Sequence, residues 1–216
     1  MSFNRFAKVR GVLAALLIAA TLSTSITAGP SLVLNEGRTT VNLSNDFLGA
    51  LNALSLSAGG VGDSRLSSGI IGFPITNGAL DLANAKGEIN HGGGLFLATR
   101  TTRVELLSFN IDTTGATPTI TGIVLVNGDF VGRIPLFNLT LPTLTLPLQP
   151  HAFGTLFIPG VKVALAPEAA AALNQVFGVT AFAGGFNIGT ASVFAVATTS
   201  RRSFFGREIP GAESQN

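Results

Sequence analysis

The chain of 216 residues has no cysteine, no tryptophan, no tyrosine and a single methionine, and only 11% of it is charged. Without cysteine there is no disulfide framework, no thiolate nucleophile and no anchor through an acylated cysteine, so an exported domain of this kind must be held by its hydrophobic core. Without tyrosine no phenol is available as acid, base, nucleophile or haem ligand. The missing Trp and Tyr also argue against an outer-membrane barrel, whose interfaces carry girdles of those residues. The aromatic content is phenylalanine alone, with 16 copies, beside 26 glycines and only two histidines, His91 and His151.

The first 28 residues have the order of a secretory signal: Arg5, Lys8 and Arg10, then an apolar run from Val12 to Leu22, then a polar stretch closing on Ile26, Thr27, Ala28. The run falls short of the roughly 20 apolar residues that span a bilayer, so a cleaved leader, residues 1–28, is expected rather than an anchor. Three of the 13 basic residues leave with it, and ten then stand against 11 acidic ones. The basic character of the whole sequence thus comes from the leader, and no basic patch points to nucleic acid or anionic lipid. The expected product is secreted, periplasmic or held at the cell surface, with no integral membrane segment.

Subtracting 28 from 216 leaves 188 residues, enough for one β-rich domain over 29–198, followed by a loose tail over 199–216 that holds Arg201, Arg202, Phe204, Phe205 and Arg207. A short strand is expected near Thr39–Leu43. Ser44 or Asn45 then caps a helix in which Phe47, Leu48, Leu51 and Leu54 recur at helical spacing to about Ser57, ended by Gly59, Gly60 and Gly62. Beyond Gly72 the apolar period becomes two. Strands are predicted over Ile75–Leu82, Gly87–His91, Leu95–Thr99, Val104–Asp112, Thr119–Asn127, Val131–Leu141, Val161–Leu165 and Ile188–Thr198. Asn127, Gly128 and Asp129 form the clearest hairpin turn, since Asn and Gly readily take positive φ. A second helix opens on Pro167 and closes before Gly178. Residues 140–150 contain Pro142, Pro147 and Pro150 and can be only an edge strand or an extended crossover. The fold class is mainly β: a single antiparallel sandwich or partly closed barrel with two short packed helices.

No reaction is diagnosable. His91 stands before Gly92, Gly93 and Gly94 at a strand end, where it either pins a tight turn by hydrogen bonding or serves as a ligand contact. His151 follows Pro150, and the two histidines share no metal-binding spacing. No G-x-S-x-G elbow is present, and Glu88, three residues from His91 on one strand, points to the opposite face. Carboxylates for a hydrolase acting on envelope polymers would come from the scattered Asp46, Asp63, Asp81, Glu88, Glu105, Asp112 and Asp129. The glycine run is no phosphate loop, because a strand follows it. Asn42-Leu43-Ser44 and Asn138-Leu139-Thr140 match the glycosylation pattern, which chance readily supplies.

The order Gly78 to Leu82, then Gly87 to Leu95, then Val104 to Asp112 resembles the core of the HtaA domain of bacterial secreted and surface haem-uptake proteins. In that family a strand ending in Gly, His, Gly, Gly, a small residue and Leu leads into further strands, and Asn90 to Leu95 stands in that place. Val161–Gly178 is similar to its closing strand and alanine-rich helix. The resemblance implies an exported β-rich binding domain, and His91 matches the glycine-flanked histidine of its fold signature. It also implies a haem site with a tyrosine ligand supported by a histidine, which a chain without tyrosine does not reproduce, and the amino-terminal tryptophan motif is replaced by the segment around Phe47–Leu54. The expectation is therefore a non-enzymatic binding or cell-surface interaction module, with no catalytic residue and no metal site. No cofactor is required; haem is disfavoured by the missing tyrosine. If a ligand is held, an apolar or planar one among Phe and Leu side chains fits, with His91 as its polar contact.

Overall fold

A computed structural model describes residues 31–197; the leader and tail expectations lie outside them. The elements in chain order are β1 (Ser31–Leu43), α1 (Asn45–Ala53), β2 (Ser57–Val61), β3 (Arg65–Ser67), β4 (Ile70–Asp81) and β5 (Gly87–His91). They continue with β6 (Gly94–Ala98), β7 (Arg103–Asp112), β8 (Thr119–Val126), β9 (Asp129–Thr140), β10 (Thr155–Leu165), α2 (Pro167–Phe177) and β11 (Asn187–Ala197).

All pairings are antiparallel. Eight strands run in the order β7-β5-β4-β1-β11-β10-β9-β8, and β8 pairs back onto β7 from Val126↔Val104 to Thr119↔Asp112. That last pairing closes the ring. The architecture is a closed eight-stranded barrel, so the sandwich alternative is corrected, and β2, β3 and β6 are additions to its wall. Inward positions carry Leu, Ile, Val and Phe, while Glu88, Asn90, Asn110 and Arg133 occupy the outer face. This polarity is the inverse of a membrane barrel, which is apolar outside and polar within. Among the described residues no helix is long and apolar enough to cross a membrane.

Gly92 and Gly93 do not make a reversal between strands. Along one edge of β7, residues 103–107 pair with β6 and residues 110–112 pair with β5. β5 and β6 are thus two halves of one long strand, kinked at the glycines, whose other edge changes partner from β4 to β2. Gly93 has φ +70 and Ser108 of β7, at the matching bulge, has φ +51. The Ser108 N–H closes the kink by donating to the Gly93 carbonyl at 3.1 Å.

Several sequence expectations move. The strand expected at Thr39–Leu43 extends back to Ser31, because β4 pairs with one edge of it from Ser31 onward and β11 with the other edge from Leu34 onward. The first helix starts as expected, with Ser44 Oγ accepting from the Phe47 N–H at 3.0 Å, but it ends at Ala53. Gly59 and Gly60 lie in β2, where an added Cβ would meet the Phe96 ring or the Ser64 carbonyl, so they serve close packing and not helix termination. Residues 141–150 form the crossover and no strand. Their main chain passes the end of β4, where the Leu148 N–H donates to the Leu82 carbonyl at 2.7 Å. The hairpin at Asn127-Gly128 stands as read, with both residues at positive φ. So does the second helix, with Pro167 in its first turn and Gly178 left-handed at its end. Its buried Ala169 and Leu173 face Val104, Leu106, Val124 and Leu136 of the barrel wall across a smaller cavity.

Candidate functional site

The barrel is not filled. Side chains from all eight ring strands surround a cavity of about 80 Å³, among them Val41, Phe73, Ile89, Phe109, Ile111, Phe137, Val163 and Val193. Leu141 and Leu144 reach it from the proline-rich crossover. A barrel of eight strands is at the size where side chains either fill the interior or leave room for one small ligand. One water needs at least about 10–15 Å³ of such space, so the void is well above the size that a single water requires. Phe73 and Phe109 meet edge to face at 4.9 Å between centroids, which fixes one side of the cavity wall.

Only three of the lining residues are polar: Thr39, His91 and Thr113. Together with Ser64 they are also the buried polar residues of the described chain. Thr113 is fully engaged, its hydroxyl donating to the Ala85 carbonyl at 2.8 Å and accepting from the Gly87 N–H at 2.9 Å. His91 is 5% exposed, and its Nε2 lies 2.7 Å from the hydroxyl of Thr39. The two residues sit on β5 and β1 with β4 between them, so the bond crosses a strand inside the barrel. His91 therefore does not pin the glycine kink. That task falls to Ser64, whose Oγ accepts from the Gly94 N–H at 3.1 Å.

The second ring nitrogen, Nδ1, is buried and has no hydrogen-bond partner. Burial pushes the His91 pKa down from 6.5 to about 4, against a weaker upward influence of the main chain at Phe109 and Ile89, which lies near without reaching hydrogen-bond geometry. The imidazole is neutral at pH 7. No charged side chain lines the cavity.

The other sequence candidates lie elsewhere. His151 is exposed beside the short turn at Ala152–Gly154 and does not join His91. Glu88 is exposed on the outer face, opposite the buried His91, as the strand period requires. Glu88 and Asp112 are cross-strand partners there. The hydroxyl and N–H of Thr114 hold the Asp112 carboxyl below its usual range, with help from Lys86, which is the wrong direction for a general acid. Glu105 is engaged by Arg103 at 2.8 Å. Among the described residues no group of three His, Cys, Asp or Glu side chains is arranged to hold a metal.

Thr39, Thr113 and Ser64 were not singled out by sequence reasoning. Thr39 and Thr40 are adjacent on β1, and which of them faces inward depends on the bulge between Leu34 and Glu36. The only signal was the rarity of any polar residue that could face an apolar interior.

No protein-family model matches the sequence, and no curated protein matches it. Solved structures do. The C-terminal domain of HtaA from Corynebacterium glutamicum aligns with TM-score 0.58 and 15% identity, over 76% of this chain and 98% of that domain. The N-terminal domain of the same protein aligns with TM-score 0.55 and 10% identity, over 77% and 99%. The heme-binding protein HtaB from that organism gives 0.53 and 9%, over 77% and 96%. The chain has an HtaA-like fold.

Proposed function

We propose that this protein is an exported, non-enzymatic binding module whose barrel interior takes one small, largely apolar molecule. The observation that carries the reading is the cavity itself: about 80 Å³, walled by hydrocarbon side chains of every ring strand, with Thr39, His91 and Thr113 as its only polar lining residues. A preformed concave apolar site with a few placed polar groups is what small-molecule binding requires. The reading of a hydrolase on envelope polymers draws no support from the carboxylates, since none lines the cavity and the Glu88–Asp112 pair lies on the open outer wall.

Haem, which one structural neighbour binds, does not fit this interior. The chain has no tyrosine, no charged side chain lines the cavity to meet the propionates, and His91 has one nitrogen engaged by Thr39 and the other walled in.

Toluene is a suitable probe. Titration followed through the methyl resonances of Ile89, Ile111 and Val193 should give saturable shifts, weakened in Ala191→Val, which narrows the cavity. Absence of any saturable shift would overturn the reading. A parallel haemin titration should leave the Soret band of free haemin unchanged at equimolar protein. A one-to-one shift lost in His91→Ala would restore haem as the ligand.

A further inference from the structure

The proline-rich crossover lies over one end of the barrel. β9 leaves the ring at Thr140 and β10 enters it at Thr155, and in the ring order β4 stands four strands from β9, directly across the barrel. Between those two points the Leu148 N–H donates to the carbonyl of Leu82, one residue past the end of β4. The connection therefore spans the mouth. Leu141 and Leu144 line the cavity below it and Leu148 is buried, while Leu146 turns outward at 48% exposure.

The same end carries most of the exposed apolar side chains. With every pairing antiparallel, the end where β9 finishes is also where β10 and β1 begin and where β11 and β4 finish. Of the eight exposed large hydrophobic residues among those described, five lie there: Leu146 and Phe153 on the connection, and Val33, Phe157 and Phe194 within four residues of the neighbouring strand ends. Phe157 and Phe194 are cross-strand partners. Phe153 is 89% exposed at φ +62, a left-handed position that a bulky residue occupies only at a cost.

These side chains are spread around a mouth, and five of them fall far short of the roughly 20–30 residues a side of a stable protein interface, a second copy included. Contact with a bilayer asks for less: protruding Phe and Leu side chains are buried at the headgroup boundary without a partner of complementary shape. Past Ala197, where β11 finishes at this end, the sequence continues through Arg201, Arg202, Phe204, Phe205 and Arg207, residue types suited to the same boundary. We propose that the crossover end of the barrel docks on the surface of a lipid bilayer, with the cavity mouth facing the membrane. Beyond the leader, ten basic residues stand against 11 acidic ones, so the contact is apolar before it is electrostatic. An apolar ligand then passes between bilayer and barrel beneath the crossover. That passage rests on the binding reading above; the docking does not.

The test uses the chain from Gly29 onward, the form expected after export, sedimented with vesicles of phosphatidylcholine and phosphatidylglycerol. The wild type should sediment with the vesicles. Leu146→Ser combined with Phe153→Ser should weaken the partition roughly tenfold or more. Both side chains are exposed, so the urea midpoint of the double variant should match the wild type and exclude unfolding as the cause. Phe130→Ser, at the opposite end of the barrel, should partition as the wild type does. A wild type that stays in solution, a double variant that binds as well as the wild type, or an equal loss in Phe130→Ser would each overturn the docking. No ligand is present in this experiment, so its failure leaves the toluene titration untouched, and a failed toluene titration leaves the vesicle result standing.

Discussion

Acidification should destabilise this protein through one side chain. The buried imidazole of His91 has its pKa lowered from 6.5 to about 4 by desolvation. Between those values the unfolded chain takes up a proton that the folded chain refuses, so stability rises with pH across the window. The contribution of a neutral His91 is fully present above pH 6.5 and is lost as pH falls toward 4. Each unit of difference is worth about 1.4 kcal/mol. The linkage integral from neutral pH gives a loss of about 2 kcal/mol at pH 5 and about 3 kcal/mol at pH 4. Against a total stability on the order of 5–15 kcal/mol, that is a large fraction.

Urea unfolding at pH 8, 6.5, 5 and 4.5 measures it, provided the slope with denaturant stays constant so that midpoints convert to free energies. Background pH dependence is shared by the wild type and the variant, and that of Asp112 lies outside this range, since its depressed pKa gives stability that falls away only at more acidic pH. Subtracting the profile of His91→Phe removes their common part. The difference between the two proteins should be flat above pH 6.5 and should narrow by about 2 kcal/mol at pH 5. Parallel profiles would refute the reasoning, because they would mean that water or a rearranged partner reaches the ring and that His91 titrates as an exposed histidine does.

Three further outcomes follow from the same geometry. Alanine at Gly93, which has φ +70, would place a Cβ against Ser64 Oγ and 2.9 Å from the Val61 carbonyl oxygen, and at Gly94 against the Leu106 carbonyl, whereas at Gly92 it meets the Thr76 methyl at 3.3 Å and Pro74 Cγ at 3.7 Å. Gly93→Ala and Gly94→Ala should each lose about 2 kcal/mol or more, and Gly92→Ala well under about 1 kcal/mol, read from thermal or urea midpoints. A double-mutant cycle of Thr39→Val with His91→Phe should return a coupling of about 1 kcal/mol, since either single change strands the other polar group in hydrocarbon; additivity would deny the bond. Ser64→Ala should lose about 1–2 kcal/mol through the stranded Gly94 N–H and should raise amide exchange along β6 more than along β5.

Most of the wall was legible because alternation of apolar residues is a local property. Gly87–His91 and the helix Pro167–Phe177 carry their own start and stop signals, and Asn127-Gly128 its own turn. What could not be read locally is register. On β7 the buried positions are Val104 and Leu106 below Ser108 but Phe109 and Ile111 above it, because the bulge adds one residue and exchanges the faces. On β1 a second bulge near Glu36 decides that Thr39 and Val41 face the cavity. The Thr39–His91 bond therefore depends on two irregularities that no period of two announces, one on β1 and the glycine kink that ends β5. The run His91-Gly92-Gly93-Gly94 is conspicuous in the sequence for the same reason that its histidine is buried. Gly93 and Gly94 leave space for the strand to bend across β7 and change partners, and that bend turns the last residue before it, His91, inward to meet β1 across β4. The histidine lines the barrel cavity and the glycines mark the joint in the wall, two separate tasks written side by side.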